Sequence, residues 1–110
     1  MTIQKLIDAL DLTAMTEGDT GGAVAGCYIG DLLSWVMGRA PERSCWITVM
    51  GNRNAIAVAK LADIACILLC EDSHLDRDAK EQADLNGIAI LSSGKTAYEL
   101  AVAIHGLLRP

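Results

Sequence analysis

The residues best suited to chemistry by type and spacing are Gly51-Asn52-Arg53-Asn54. They follow an almost continuously apolar or β-branched run, Cys45 to Met50, and precede a helical pattern from Ala55 to Leu61. Amides at a helix start favour an anion, and the Arg53 guanidinium would add a bidentate contact. The competing reading makes Asn52 the helix cap and leaves Arg53 in solvent or in a surface ion pair of little worth. Cys70-Glu71-Asp72 closes the next apolar run and belongs at the same edge of a sheet. Two carboxylates there would repel an anion, hold a hard cation, or simply form a solvated turn. The candidate ligand-binding set is therefore Gly51, Asn52, Arg53, Asn54, Cys70 and Glu71.

Other chemistry is poorly supported. Leu91-Ser92-Ser93-Gly94-Lys95-Thr96 looks like the end of a phosphate loop, but the position that needs the first glycine is Ala89. Thr96 and Glu99 instead have the spacing of a capping box. His74 and His105 have no Cys, Ser or second His at a useful spacing, so a surface and a helix-flank role are expected. Cys27, Cys45, Cys66 and Cys70 contain no C-x-x-C pair, and three of them sit in apolar runs. Buried free thiols in a reducing compartment are expected, with no metal and no cofactor. No constellation for nucleophilic or acid–base catalysis can be assembled.

The elements that would position these residues alternate in type. Thr2 can cap a helix through Ala9, with Ile3, Leu6, Ile7 and Leu10 on one face. Leu12 to Met15 reads as a short strand, and Glu17 to Gly22 as a turn-forming cluster, expected to be the most flexible segment. Ala23 to Ile29 reads as a strand interrupted by Gly26. A helix opens at Gly30-Asp31 and runs to Arg39, stopped by Pro41. Residues 45–50, 65–70 and 88–91 are strands without polar alternation, which must be covered on both faces as in a parallel sheet. Helices fall at Ala55–Leu61, at Asp76–Asn86 and at Thr96–Leu108. In the second of these Ala79, Ala83 and Leu85 are expected inward, with Gly87 as C-terminal cap.

Length and composition bound the rest. The 110 residues leave room for a single domain, 1–110, with one core. That core must be Ala, Val, Ile and Leu, because the chain has two Trp, two Tyr and no Phe. A net charge of −5 with scattered Lys and Arg argues against nucleic acid as a partner. No apolar run approaches a membrane span and no leader pattern starts the chain, so no membrane contact and a cytoplasmic location are expected.

Gly26-Cys27-Tyr28-Ile29-Gly30-Asp31-Leu32-Leu33-Ser34-Trp35-Val36-Met37, Trp46-Ile47-Thr48, Asn54, Ala57-Val58-Ala59 and Tyr98-Glu99-Leu100-Ala101 together resemble a DRTGG domain of the free-standing branch. The resemblance covers nearly the whole chain from about Leu6. It implies an α/β module with a parallel sheet and no catalytic activity of its own. Such modules serve as regulatory or accessory domains in bacterial phosphotransacetylases. They also lie between CBS domains in some pyrophosphatases, and are related to the N-terminal domain of the histidine-phosphocarrier kinase/phosphorylase. Two turns depart from the family pattern. Where relatives carry Gly-Asp-Arg-x-Asp this chain has Gly51-Asn52-Arg53-Asn54-Ala55, and where they carry Thr-Gly-Gly it has Cys70-Glu71-Asp72.

The expectation is a three-layer α/β sandwich with a mostly parallel sheet. It would act as a regulatory or interaction module on a metabolic enzyme, or alternatively as a sensor of an anionic metabolite or nucleotide near Gly51 and Arg53. The helix from Asp31 to Arg39 carries more apolar surface than one core-facing stripe needs. Leu32, Trp35 and Met37 are therefore the candidate interface of a homodimer. The competing cover for Trp35 is the N-terminal helix of the same chain.

Overall fold

The computed structural model describes residues 1–109. In chain order the elements are α1 (Ile3–Leu10), β1 (Thr13–Ala14), β2 (Gly26–Ile29), α2 (Leu33–Arg39), β3 (Ser44–Thr48), α3 (Arg53–Leu61), β4 (Cys66–Leu69), α4 (Arg77–Leu85), β5 (Ile90–Ser92) and α5 (Ala97–Leu108). One five-stranded sheet has the order β1-β5-β4-β3-β2. Strands β2 to β5 are mutually parallel, and only β1 runs antiparallel, pairing Thr13 with Ser92 and Ala14 with Leu91.

Because β2, β3, β4 and β5 step across the sheet in one direction, crossovers of one hand put α2, α3 and α4 on the same face. Val36, Ala55, Ile56, Val58, Ala59, Ala79 and Ala83 close on that face over Trp46, Ile67, Leu69 and Ile90. Helices α1 and α5 cover the other face, where Ile3, Leu6, Leu100 and Ile104 meet Cys45, Ile47, Cys66, Leu68 and Leu91. Every residue of β3 and β4 is buried, which is why neither strand alternates apolar with polar. The two polar side chains in β3 are each satisfied. Ser44 Oγ donates to the Pro41 carbonyl at 2.7 Å, and Thr48 Oγ1 donates to Asp31 at 2.7 Å.

Helix ends follow local chemistry. Thr2 Oγ1 accepts from the Lys5 amide, and Thr96 and Glu99 form the reciprocal capping box. Gly87 takes φ +66° just after α4, the left-handed conformation that ends a helix.

Several expectations shift. The strand expected from Ala23 begins at Gly26, because Val24 and Ala23 are drawn beneath the start of α1. There the Val24 amide donates to the Met1 carbonyl and Ala23 bridges Thr2. Helix α2 starts two residues later than expected, since the Asp31 carboxylate is held by Thr48 and by the Val49 amide. The last parallel strand lies at Ile90–Ser92 rather than 88–91, because the Ile88 amide still closes α4 on the Ala83 carbonyl. The turn cluster is stitched down: Gly22 and Thr20 carbonyls accept from Ile3 and Gln4, and the Glu17 amide donates to Asp84. Leu85 is not inward but 78% exposed. At about 100° per residue it lies some 240° round from Ala79, away from the stripe that Ala79 and Ala83 define.

Leu68→Ala, in the fully buried centre of the sheet, is expected to cost about 2–5 kcal/mol. Leu85→Ala should stay within about 0.5 kcal/mol. Urea denaturation of the two variants checks both.

Candidate functional site

The carboxyl ends of the parallel strands bring together the turns singled out from the sequence. Gly30-Asp31 follows β2, Val49 to Asn52 follows β3, Cys70 to Asp72 follows β4 and Ser93 to Lys95 follows β5. In open α/β sheets ligands bind outside this edge, in the crevice where the winding reverses. Strands β2 to β5 wind one way throughout, so no such reversal separates two of them.

Each turn is occupied by the protein itself. Gly51 is buried, and a Cβ built on it would sit 2.1 Å from the His74 carbonyl oxygen. Its own carbonyl accepts from the Asp76 amide at 2.8 Å, tying the β3–α3 turn to the start of α4. Asn52 adopts the capping role: its Oδ1 accepts from the Ala55 amide at 3.0 Å. Arg53 points outward with its side chain 63% exposed, and its Nε lies 3.9 Å from the Asp78 carboxylate, an ion pair of small energetic weight. Asn54 is exposed. Cys70 is buried and its thiol donates to the Thr48 carbonyl at 3.8 Å. Glu71 is exposed, while its amide donates to the Lys95 carbonyl.

The Cys70-Glu71-Asp72 turn keeps a glycine-like backbone without glycine. Glu71 has φ +55° and Asp72 φ +53°. The Asp72 amide donates to the Ser93 carbonyl, and Gly94 lies so close that a Cβ there would meet the Asp72 carboxylate at 2.9 Å. Both non-glycine residues therefore carry the steric cost of the left-handed region.

The structure therefore brings Gly51, Cys70 and Glu71 to one edge and turns Arg53 away from them. Arg53 and Lys60 instead line a cleft of about 310 Å³ between α3 and α4, with Ile56, Ala57, Gln82 and Asn86. A second cleft, of about 420 Å³, lies between β2 and α5 and is lined by Gly26, Cys27, Ile29, Ala101, His105 and Arg109. Sequence reasoning missed it, because it is made by a strand edge and a helix far apart in the chain.

All four cysteines are free; Cys45, Cys66 and Cys70 are buried as expected, whereas Cys27 is half-buried. In register, Cys27, Cys45 and Cys66 stand side by side on three neighbouring strands. Burial, then the neighbouring Cys66, pushes the Cys27 thiol up to about 11 from an ordinary 9.0. A hydrogen bond with Cys66, then burial, raises Cys45. Burial also raises Cys70, against backbone hydrogen bonds that pull it down. In Cys27, Cys45 and Cys70 the shift favours the protonated thiol. His74 is exposed with Nε2 3.5 Å from Asp76, and His105 is exposed on the flank of α5. Among the described residues neither histidine activates a hydroxyl or thiol, and no group of His, Cys, Asp and Glu is arranged for a metal. No described helix is long and apolar enough to cross a membrane.

On the candidate interface, α2 buries Val36 and leaves Leu32 58%, Trp35 51% and Met37 39% exposed. Helix α1 packs beside α5 on the opposite face of the sheet, so it does not cover Trp35. The Arg39 guanidinium is laid on that ring, 3.6 Å from its centroid.

The chain resembles the solved CBS and DRTGG domains of the regulatory region of Clostridium perfringens pyrophosphatase, a structure complexed with the activator diadenosine tetraphosphate. The TM-score is 0.70 at 13% identity, over 94% of this chain and 45% of that one. The chain thus spans less than half of the structure it matches, and the likeness is one of fold. No protein-family model and no curated protein matches the sequence.

Three outcomes test this geometry. Gly51→Ala should cost about 1–3 kcal/mol through its clash with His74, and Asn52→Ala about 1 kcal/mol through the lost cap. Glu71→Gly should gain about 1 kcal/mol by relieving its left-handed backbone. Urea denaturation measures all three. Stability also depends on pH. The folded state favours the neutral Cys27 thiol, so its contribution is complete below pH 9.0 and is lost as pH rises toward about 11. Denaturation between those values should show stability falling less steeply in Cys27→Ser than in the wild type.

Proposed function

We propose that this protein is a non-catalytic regulatory or interaction module that pairs with itself and, as a pair, acts on a metabolic enzyme. The observation that carries the reading is the contrast between its two surfaces. The carboxyl-end turns, where a ligand or a reaction would be expected, are filled by the protein's own backbone. The helix beside the sheet edge leaves Trp35, Leu32 and Met37 uncovered. A large rigid ring exposed beside further apolar residues is the anatomy of an interface centre. The fold likeness to a regulatory region supports the same assignment.

Sedimentation at tens of micromolar tests the pairing. The wild type should be a dimer, and Trp35→Ala should weaken it by at least tenfold, as truncation of a central aromatic does. A wild-type monomer, or a dimer indifferent to the substitution, overturns it.

The alternative, a sensor of an anionic metabolite or nucleotide, is favoured by one observation: Arg53 and Lys60 converge on the cleft between α3 and α4. Calorimetry with nucleotides, acyl phosphates and inorganic phosphate checks it. Binding that Arg53→Ala weakens would establish the sensor, and no heat with any of them would leave Asn52 as a helix cap and nothing more.

A further inference from the structure

We infer that the groove between the outer edge of β2 and α5 takes an extended acidic segment of a partner protein, added to the sheet as a strand beside β2. This rests on the reading of the protein as an interaction module and names the chemistry of the partner it holds.

The backbone of β2 carries the argument. Ile29 pairs with Ile47, and the Gly30 amide donates to the Ile47 carbonyl at 3.2 Å. Alternation along a parallel ladder then turns the backbone groups of Gly26 and Tyr28 toward β3 and those of Cys27 and Ile29 outward. Strand β2 is the last of the sheet, so no strand of the chain meets them. Before the strand, the Ala25 amide donates to the Arg43 carbonyl, which limits the open stretch to Cys27 and Ile29. The other edge strand, β1, is two residues long, a common way of blunting an edge. Strand β2 is Gly26-Cys27-Tyr28-Ile29, with neither charge nor proline to turn another strand away.

Beside this edge lies the cleft of about 420 Å³. Its strand wall runs from Ala25 to Ile29, about 13 Å of extended chain. Its helix wall is Ala101, His105, Leu108 and the C-cap Arg109, one face of α5 about 12 Å long. The two walls match in length, and an extended segment of about four residues spans them. A site for a compact metabolite encloses most of its ligand. This groove instead stands at the rim of the sheet, with no strand of the chain beyond it.

Charge selects the segment. The chain carries −5 overall, yet among the described residues no carboxylate lines this groove, and His105 and Arg109 supply its polar side chains. An acidic partner is therefore complementary to it. Helix α5 runs back from the carboxyl end of β5, so Ala101 stands toward the Ile29 end of β2 and Arg109 toward the Gly26 end. Ala101 and His105 are about 6 Å apart along the helix, close to the two-residue repeat of a strand. The segment that fits has an aliphatic side chain over Ile29 and Ala101, and an Asp or Glu two residues away at His105 and Arg109. A second copy of this chain fits less well. The acid that follows its β2, Asp31, is held by Thr48 Oγ1 and the Val49 amide and is not available to Arg109. The residues assigned above to self-pairing lie on and beside α2, which packs on the opposite face of the sheet from α5. The groove is thus left for a different chain.

The probe is a blocked nine-residue peptide with Asp, Val and Asp at its third, fifth and seventh positions and Thr elsewhere, a pattern that reads the same in either strand direction. Titrated into the full chain and followed by amide NMR, it should saturate with a dissociation constant below about 1 mM. At saturation the Cys27 and Ile29 amides should exchange at least about tenfold more slowly, while the Tyr28 amide, already turned to β3, should not change. The same peptide with Lys for both Asp should bind at least about tenfold more weakly, and Arg109→Glu should reverse that preference. Ile29→Ser should weaken binding at least about threefold, and Trp35→Ala should leave it within about twofold. Should a variant fail to fold by circular dichroism, the Asp and Lys peptides on the wild type decide alone. No saturation, saturation without protection of Cys27 and Ile29, or equal binding of the two peptides overturns the groove, and self-pairing stands if sedimentation shows the dimer. A peptide that dissociates that dimer also overturns it, by giving the groove to a second copy. A wild-type monomer that binds the peptide as described keeps the groove and removes the self-pairing.

Discussion

The direction in which the sheet is wound governs the rest of this structure. Four parallel strands succeed one another without a reversal, so three crossover helices must share one face. The other face is left to α1 and α5, and the last helix has to travel back across the sheet to cover β2 and β3. This winding buries β3 and β4 completely and makes their continuous apolar sequence obligatory. It also withholds the crevice that a reversal would open between two carboxyl ends. Its remaining consequence is that β2, the first strand of the parallel series, ends at an edge that no described element pairs with.

With no crevice to line, the carboxyl-end turns are spent on stitching. Asp31 fastens the β2–α2 turn to Thr48 and Val49. Gly51 fastens the β3–α3 turn to the start of α4, and Glu71 and Asp72 lock onto Lys95 and Ser93. Each tie joins turns of neighbouring strands, so the edge behaves as a chain of backbone hydrogen bonds with few donors left for a visitor. The left-handed backbone at Glu71 and Asp72 is explained by these bonds rather than by a ligand, since their amides point at the next turn.

What the sequence made legible follows from what is local. Apolar runs without alternation located β3, β4 and β5, because burial on both faces leaves a mark within five residues. Thr2, Asn52, Thr96 and Gly87 were readable as caps because a cap is satisfied within three or four residues. Boundaries moved where a distant partner intervened, as with Asp31, which is captured by β3 instead of capping α2. Leu85 was misplaced because the stripe of α4 is defined by two alanines, too small to outweigh a leucine in a hydropathy pattern. The occupied state of Gly51 could not be read at all, because the carbonyl that fills its space comes from His74. Nor could the flank shared by α2 and α5, which exists only once the sheet brings helices from opposite faces to the same edge.

The use of aromatic residues sharpens the distinction between core and edge. A chain without Phe has four rings to place, and rings carry the largest burial per residue. Trp46 is fully buried with its indole N–H donating to the Gly30 carbonyl at 2.8 Å, the arrangement a core tryptophan requires. Tyr28 is half-buried against the same cluster. The other two, Trp35 and Tyr98, stand more than half exposed on opposite faces of the sheet. Burying either within the chain would require one hydrogen-bond partner for its N–H or O–H. The alanine-rich helices α3 and α4 leave the core tightly filled by smaller side chains. Half the aromatic content of an aromatic-poor chain is thus committed to surface that the chain's own fold does not use, and both rings stand on helices whose ends approach β2.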